Sequence, residues 1–374
     1  MAVSRVSILF AAALAAALAF AAPAAAVDPQ AHTPSLQFLG QAIIPTGTTF
    51  AGTTVGGLSS ITYDPGRNVY YALSDDPSQF NPARFYTLGI DLGGSFDAGH
   101  VHFDAVTTLK APGGAPYAPS TIDPEGLVFT KDGRLVLTSE GFATRLVDPF
   151  LRFYDVGGQF LGSLSVPSYF LPTAAGTSGI RNNLAFEAAG VPPNGRFFFT
   201  GTENALLQDG PAATVAGGSP SRILRYNLQT ERLDRQYVYW TDPVFQAPIP
   251  PTQFSVNGLV ELLPLNNEFL LAMERSFSVG VPGTGNEIKL YEAALPGADD
   301  VNGVSTLAGS LGKIQPVQKT LLFDLGSLGI PLDNVEGMAF GPDLPDGRRS
   351  LIMVSDNNFA ASQFTQFLLF AVSP

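Results

Sequence analysis

The sequence of 374 residues has 32 acidic and 20 basic residues, a formal net charge of −12, and no cysteine. The acidic balance argues against nucleic acid as a partner, because a phosphate backbone needs a basic face. The lack of cysteine excludes disulfides and thiolate metal sites, so the fold must be stabilised by its buried core and its sheet pairing.

Residues 1–26 have the pattern of a secretory signal peptide. An arginine near the start precedes a long apolar run rich in alanine and leucine, and the small residues ending at Ala26 predict cleavage before Val27. The alternative is that residues 1–26 form an uncleaved membrane anchor. No segment after residue 26 has the length and hydrophobicity of a membrane span. We therefore expect a secreted or periplasmic protein, with one domain over residues 27–374, that is monomeric and has no membrane partner after cleavage.

One hairpin motif recurs five times in the rest of the chain. Each copy has a polar or glycine pair, then Leu or Met, a short strand, a turn, a second strand and an acid. The copies are VGGLSSITYDPGRNVYYALSDD (55–76), DPEGLVFTKDGRLVLTSEG (123–141), RNNLAFEAAGVPPNGRFFFTGTEN (181–204), SVNGLVELLPLNNEFLLAMERSF (255–277) and DNVEGMAFGPDLPDGRRSLIMVSDNN (333–358). With abundant Gly and Pro and no sustained helical periodicity, this pattern predicts an all-β fold.

Candidate outer strands follow most copies, such as ARFYTLGID and HVHFDAVTTL after the first. Only TQFLLFAV follows the fifth copy, and SLQFLGQAII at Ser35–Ile44 can supply the strand that is missing there. This layout predicts a β-propeller of four-stranded blades, closed by pairing of the N- and C-terminal strands. Five units are counted. A sixth, degenerate blade is an alternative, and a sandwich or solenoid is less favoured because sandwiches rarely repeat one motif.

In a propeller, equivalent copies place equivalent acids around one face. The acids that end the second strands are Asp75, Glu140, Glu203, Glu274 and Asp356. Glu125 and Glu336 begin first strands, where the third and fourth copies carry asparagines. Several hard oxygen ligands suit Ca²⁺, which accepts about six to eight of them with loose geometry. We therefore expect a calcium site on this face, with turn capping as the alternative role of the same acids.

The repeated hairpins that follow the export signal resemble the phytase-like family, described as the esterase-like activity of phytase. The motifs that carry the resemblance are DPEGLVF, LTSEG, NVEGMAF and SDNN. The resemblance covers most of the mature chain. It implies a propeller with an acidic face and a calcium-dependent phosphoesterase activity. The family motif matches at Glu125, Glu140, Glu336 and Asp356, and repeat equivalence adds Asp75, Glu203 and Glu274 as metal ligands. The Asn-Asn of the third copy and the Asn-Gly of the fourth depart from the pattern, so full five-fold metal symmetry is not expected.

The proposed catalytic pair is Glu274 and Arg275, because an arginine beside the acids could clamp a phosphate bidentately. Arg145 and Arg181 are weaker candidates, and for all three arginines the alternative is neutralisation of neighbouring acids. The sequence has no G-x-S-x-G elbow, P-loop or dinucleotide fingerprint, which argues against a serine hydrolase or a nucleotide enzyme. The expected substrate is a small phosphate ester. There are two alternatives. The first is a non-catalytic propeller that binds a ligand or a partner and has structural calcium, and the second is a single-metal, lactonase-like hydrolase.

Overall fold

The computed structural model describes residues 34–373, so the predicted signal peptide lies outside the described range. Within residues 34–373, no helix is long and apolar enough to cross a membrane. The chain folds into five antiparallel sheets that follow one another in sequence, which is a five-bladed β-propeller. The predicted fold class and the count of five units are therefore confirmed.

Three of the blades are built from four consecutive strands each. Blade 1 comprises β4 (Leu58–Asp64), β5 (Val69–Ser74), β6 (Arg84–Ile90) and β7 (Val101–Thr108). Blade 2 comprises β8 (Pro124–Phe129), β9 (Leu135–Ser139), β10 (Phe150–Tyr154) and β11 (Phe160–Leu164). Blade 4 comprises β15 (Ser255–Pro264), β16 (Phe269–Ser278), β17 (Asn286–Ala294) and β18 (Gln318–Asp324). A short ribbon of β2 (Thr49–Phe50) and β3 (Thr53–Thr54) precedes blade 1.

Blade 5 joins the two ends of the described chain. It comprises β19 (Asn334–Asp343), β20 (Arg349–Asp356), β21 (Thr365–Ser373) and, as its outermost strand, β1 (Ser35–Ile44). β1 runs antiparallel to β21, from the Ser35–Ser373 pair to the Ile44–Thr365 pair. The predicted closure by N- and C-terminal strands is therefore confirmed, and it leaves no gap in the ring.

Blade 3 differs from the other four in its innermost segment. Its regular strands are β12 (Phe197–Gly201), β13 (Pro220–Asn227) and β14 (Arg232–Trp240). The segment that should form the inner strand meets β12 and its extension only through isolated bridges, Phe186 with Thr202 and Gly190 with Phe199. The reason is that two of its backbone N–H groups, those of Ala185 and Ala189, donate to side-chain carboxylates instead of to a ladder.

The core lies between blades. Ile61 and Tyr70 of blade 1 pack in one cluster with Ile352 and Phe367 of blade 5, and comparable clusters occupy the other interfaces between neighbouring blades. Each large apolar side chain buried in this way contributes about 1.5–3 kcal/mol. This distributed burial lets a cysteine-free chain hold the first strands in a ring around a central channel.

Candidate functional site

A cavity of about 640 Å³ occupies the end of the channel where the first strands begin and the second strands end. We call it the acidic cavity, because eight carboxylates from four blades line it. They are Asp75, Asp123, Glu125, Glu187, Glu203, Asp333, Glu336 and Asp356. Blade 4 contributes Arg275, which is the only basic residue among the lining residues of the described chain. The expected acidic face therefore exists as a concave site.

The hairpin of blade 2 brings three acids together at one edge. The N–H of Glu140 donates to the carbonyl of Asp123 at 3.0 Å, and the N–H of Asp123 donates to the hydroxyl of Ser139 at 3.0 Å. Each of Asp123, Glu125 and Glu140 offers a carboxylate oxygen, and the three oxygens lie within 4.8 Å of one another. This spacing allows one cation to contact all three carboxylates.

A second group of three acids shares Glu140 with the first. It consists of Glu140, Glu187 and Glu203, whose oxygens also lie within 4.8 Å of one another and whose residues are all buried. Glu187 was not predicted, because it lies in the irregular inner segment of blade 3, at a position of the third copy where the other copies carry no acid. Its only signal in the sequence is a lone acid inside the otherwise apolar run LAFEAAGV.

The acids of blades 1 and 2 are poorly compensated by protein groups. Glu140 is 1 % exposed, and its Oε2 has no hydrogen-bond donor among residues 34–373. Oδ1 of Asp75 is likewise buried without a donor in this part of the chain. Burying a carboxylate without a donor or cation is costly, so these oxygens are suited to an added positive charge.

Burial and mutual repulsion raise the pKa values of this group. Desolvation is the largest cause in each case, and neighbouring acids add to it at Glu125, Glu140 and Glu187, whose pKa values lie well above the ordinary range. Desolvation raises the pKa of Asp123 and that of Glu203 to about 7. Without cations, the acidic cavity therefore holds protons near neutral pH.

The donor set fits a hard cation such as Ca²⁺. Its ligands would be carboxylate oxygens in two overlapping groups that share Glu140, and the buried Oε2 of Glu140 has no competing donor in the described chain. The oxygen chemistry is that of calcium rather than of zinc, which prefers nitrogen and sulfur ligands. Glu140 itself sits behind the acids that line the surface of the cavity.

Blade 5 presents acids that are already partly paired. Oε1 of Glu336 accepts from Nη2 of Arg275 at 2.8 Å and from Nδ2 of Asn334 at 2.9 Å. Asp356 accepts from the N–H of Asn358 at 2.6 Å. Arg275 also lies 3.6 Å from Oε1 of Glu203. The cavity thus has one side, with Glu336 of blade 5 and Glu203 of blade 3, that Arg275 compensates, and another side, with the acids of blades 1 and 2, that has no ion pair to a protein cation within residues 34–373.

The structure places Glu274 away from the expected ring. In β16 it pairs with Leu259, whereas Arg275 pairs with Gly258. Successive side chains of a strand point to opposite faces, so Arg275 enters the acidic cavity and Glu274 does not. Glu274 lines a separate pocket of about 320 Å³.

Glu274 is fully engaged in that separate pocket. Its Oε1 accepts from the hydroxyl of Tyr239 at 2.8 Å and pairs with Lys319. Its Oε2 accepts from the N–H of Asp242 at 2.7 Å and from Nδ2 of Asn257 at 2.9 Å. Repeat equivalence therefore does not place the acid of blade 4 in the acidic cavity. The other six predicted metal ligands lie in the acidic cavity or directly behind it.

Two glycines of the repeated motif make room for the acids. A Cβ on Gly57 would lie 1.9 Å from Oδ1 of Asp75, and one on Gly258 would lie 2.1 Å from Cγ of Glu203. Both distances are far below van der Waals contact, so any larger residue would displace these acids. The glycine of the motif therefore has a direct part in shaping the cavity.

The other two predicted arginines have different positions. Arg181 donates to the backbone carbonyls of Ala205 and Gly210, which is a structural role. Arg145 is exposed, with its guanidinium 5.3 Å from the ring centre of Phe142, which lines the acidic cavity. It lowers the pKa of Asp123 against the larger effect of burial. Arg275 is thus the arginine with a direct position in the cavity.

Comparison with known families agrees with this geometry. The family model "Phytase-like: Esterase-like activity of phytase" matches residues 53–359, which is most of the chain and includes every acid of the cavity. The chain belongs to the phytase-like family. No curated protein matches it.

Several solved structures show a distant likeness to this phytase-like chain. They include the Dos1 propeller, with 7 % identity, a TM-score of 0.36, and coverage of 84 % of this chain and 67 % of that one. The tail fibre of Staphylococcus aureus phage P68 has 11 % identity, a TM-score of 0.37, and coverage of 90 % and 52 %. A GH43_12 protein from a capybara gut metagenome has 9 % identity, a TM-score of 0.40, and coverage of 91 % and 54 %. The chain spans about half the length of the last two, and scores this low carry no functional information.

Proposed function

We propose that this phytase-like propeller is an exported, calcium-dependent hydrolase of phosphoric esters, and that the acidic cavity is its active site. The observation that carries the proposal is the pair of overlapping carboxylate groups around Glu140, which has a buried oxygen without a donor among residues 34–373. Family membership makes phosphate esters the first substrate class to test.

The two sides of the cavity would have different roles, one in holding cations and the other in orienting the phosphate. Asp123, Glu125, Glu140, Glu187 and Glu203 would hold the cation or cations. Bound calcium supplies positive charge that neutralises the phosphate and polarises its P–O bonds. The requirement for cations follows from charge, since a phosphate would otherwise be repelled by eight lining acids.

Arg275 would orient the phosphate from the opposite side. Its side chain is 11 % exposed, and its Nε has no hydrogen-bond acceptor in the described chain. Glu336 and Glu203 hold the guanidinium in place and preserve its charge, and their charges raise its pKa against the effect of burial. A fixed guanidinium with a spare donor suits the recognition of a phosphate oxygen.

A non-catalytic propeller with structural calcium is the second candidate. The observation that favours it is the engagement of Arg275 by Glu336 at 2.8 Å, which leaves the cavity without an unpaired protein cation for a substrate. In that case calcium would only neutralise the buried acids that Arg275 does not reach, and no ester would be cleaved.

The test is hydrolysis of 4-nitrophenyl phosphate by the mature protein, measured in EDTA and in added Ca²⁺. The proposal expects activity only with calcium, and its loss in Glu140→Gln and in Arg275→Gln. Glu268→Gln is the matched control, because Glu268 is an exposed turn residue outside the cavity. Calcium binding without hydrolysis of this or other phosphoric esters would favour the structural alternative.

A further inference from the structure

A second cavity, of about 570 Å³, lies at the opposite end of the channel, where the first strands end. We call it the apolar cavity. Every blade contributes a large apolar or proline side chain to its wall. These residues are Tyr63, Phe129, Val191, Pro264 and Phe340, from blades 1 to 5 in order. Its volume is within the range of about 300–1,000 Å³ that is usual for small-molecule sites.

The walls of the apolar cavity are rigid. Four prolines line it, namely Pro65, Pro192, Pro193 and Pro264, and a proline has a fixed φ angle. Rigid walls keep the cavity open without a ligand, so binding costs little reorganisation. Apolar surface that is held open to water favours an occupant that covers it.

Two acids near the apolar cavity are already satisfied. Asp64 accepts from the N–H of Gly66 at 2.9 Å and from the hydroxyl of Tyr71 at 3.0 Å, and it pairs with Arg67. Glu261, which is 2 % exposed, accepts from the N–H groups of Ala189 at 3.0 Å and Leu262 at 2.8 Å. Neither acid is therefore positioned to attract a cation into the cavity.

Two basic residues at the same cavity have no such partners. Arg349 of blade 5 lies over Phe340, with its guanidinium carbon 3.7 Å from the ring centre, and Lys131 of blade 2 also lines the cavity. Within residues 34–373, neither side chain makes an ion pair or a side-chain hydrogen bond. Asp343 is the cross-strand neighbour of Arg349, and its charge opposes the lowering of the pKa of Arg349 by burial. In a chain with a net charge of −12, an apolar cavity with two unpaired cations is complementary to an anion.

We propose that the apolar cavity binds an amphipathic small molecule with an apolar body and a single anionic head group, such as a long-chain carboxylate. The body would cover the apolar and proline walls, and the head group would lie between Arg349 and Lys131. This site has the opposite charge preference from the acidic cavity, and its existence does not depend on the function proposed there.

The test uses isothermal titration calorimetry with dodecanoate, below its micelle concentration, and dodecyltrimethylammonium as the cation of the same chain length. We expect saturable binding of dodecanoate and much weaker binding of the cation. The double variant Lys131→Gln/Arg349→Gln should bind dodecanoate about ten-fold more weakly. Arg348→Gln is the matched control, because Arg348 is paired with Asp346 and lies outside the cavity.

A cavity-filling variant separates this cavity from other apolar surfaces. Val191→Trp should abolish binding of dodecanoate while the melting temperature stays close to that of the wild type. The proposal is overturned if both amphiphiles bind equally, or if the double variant binds dodecanoate as tightly as Arg348→Gln does. It is also overturned if sedimentation shows a dimer that Val191→Trp dissociates, since a second copy of the chain would then be the occupant.

Discussion

Glu274 and Arg275 are adjacent in β16, yet their side chains lie in different pockets and pair with charges of opposite sign. Arg275 compensates Glu336 and Glu203 inside the acidic cavity, and Glu274 is compensated by Lys319 outside it. The alternation of the strand thus gives blade 4 a cation where the other blades present acids. This exchange divides the cavity into a side that is neutralised by the protein and a side suited to added cations.

Loss of Arg275 should destabilise the calcium-free protein. Arg275→Gln leaves Glu336 and Glu203 without their cation, and breaking a buried pair in this way typically costs about 3–5 kcal/mol. Urea unfolding in EDTA measures this cost. Arg348→Gln, which removes an exposed charge, should change the free energy of unfolding by less than about 1 kcal/mol. Equal effects of the two changes would contradict the central role of Arg275.

Glu140→Gln should have effects of opposite sign with and without calcium. In EDTA it removes a repulsive buried acid while keeping an oxygen for the N–H of Ala185, so the melting temperature should stay constant or rise. In calcium the same change removes the ligand shared by both carboxylate groups, so the stabilisation by calcium should be largely lost. A drop of equal size in both conditions would point to a purely structural role.

The calcium-free protein should lose stability as the pH rises from about 4.5 to about 8. The folded-state pKa values of Asp123 and Glu203 are raised to about 7, and that of Asp356 to about 8, so the folded state binds more protons than the unfolded state in this window. Stability falls with pH wherever the folded state holds the extra protons. Melting curves in EDTA should therefore show a lower midpoint at pH 8 than at pH 5.5. A midpoint that rises over this interval would contradict the uncompensated state of these acids.

Gly258→Ala should disturb the cavity through Glu203. The added methyl group would lie 2.1 Å from Cγ of Glu203, so the acid must move, at a cost of about 1–3 kcal/mol for overpacking. Calcium binding should weaken together with stability. Gly113→Ala is the control, because a Cβ there meets nothing within 4 Å. Unchanged calcium affinity in Gly258→Ala would remove Glu203 from the ligand set.

Glu274→Gln should lower stability by the same amount with and without calcium. The variant weakens the pairing of Lys319 and leaves the acidic cavity intact, since Glu274 lies in the separate pocket. Paired thermal melts in EDTA and in calcium test this expectation. A loss confined to the calcium condition would restore Glu274 to the metal ligands that the sequence predicted.

The sequence predicted the fold because one hairpin was repeated five times with its turn, and four of the five copies have a glycine before the Leu or Met. It also predicted the closure by β1, since the fifth copy lacked an outer strand. The position of Glu274 was not predictable from the motif, because a shift of one residue along a strand moves a side chain to the other face. Glu187 was not predictable for a different reason. It lies in the inner segment of blade 3, which is irregular because its backbone contacts carboxylates of other blades.

Calcium titration of the mature protein at pH 7.5 by isothermal calorimetry tests the central claim most directly. Overlapping groups of buried acids with raised pKa values predict saturable binding accompanied by proton release, which appears as a heat that depends on the ionisation enthalpy of the buffer. Glu140→Gln should abolish or strongly weaken this binding, and Glu268→Gln should leave it unchanged. Absence of calcium binding by the wild type, or equal binding by Glu140→Gln, would contradict the account.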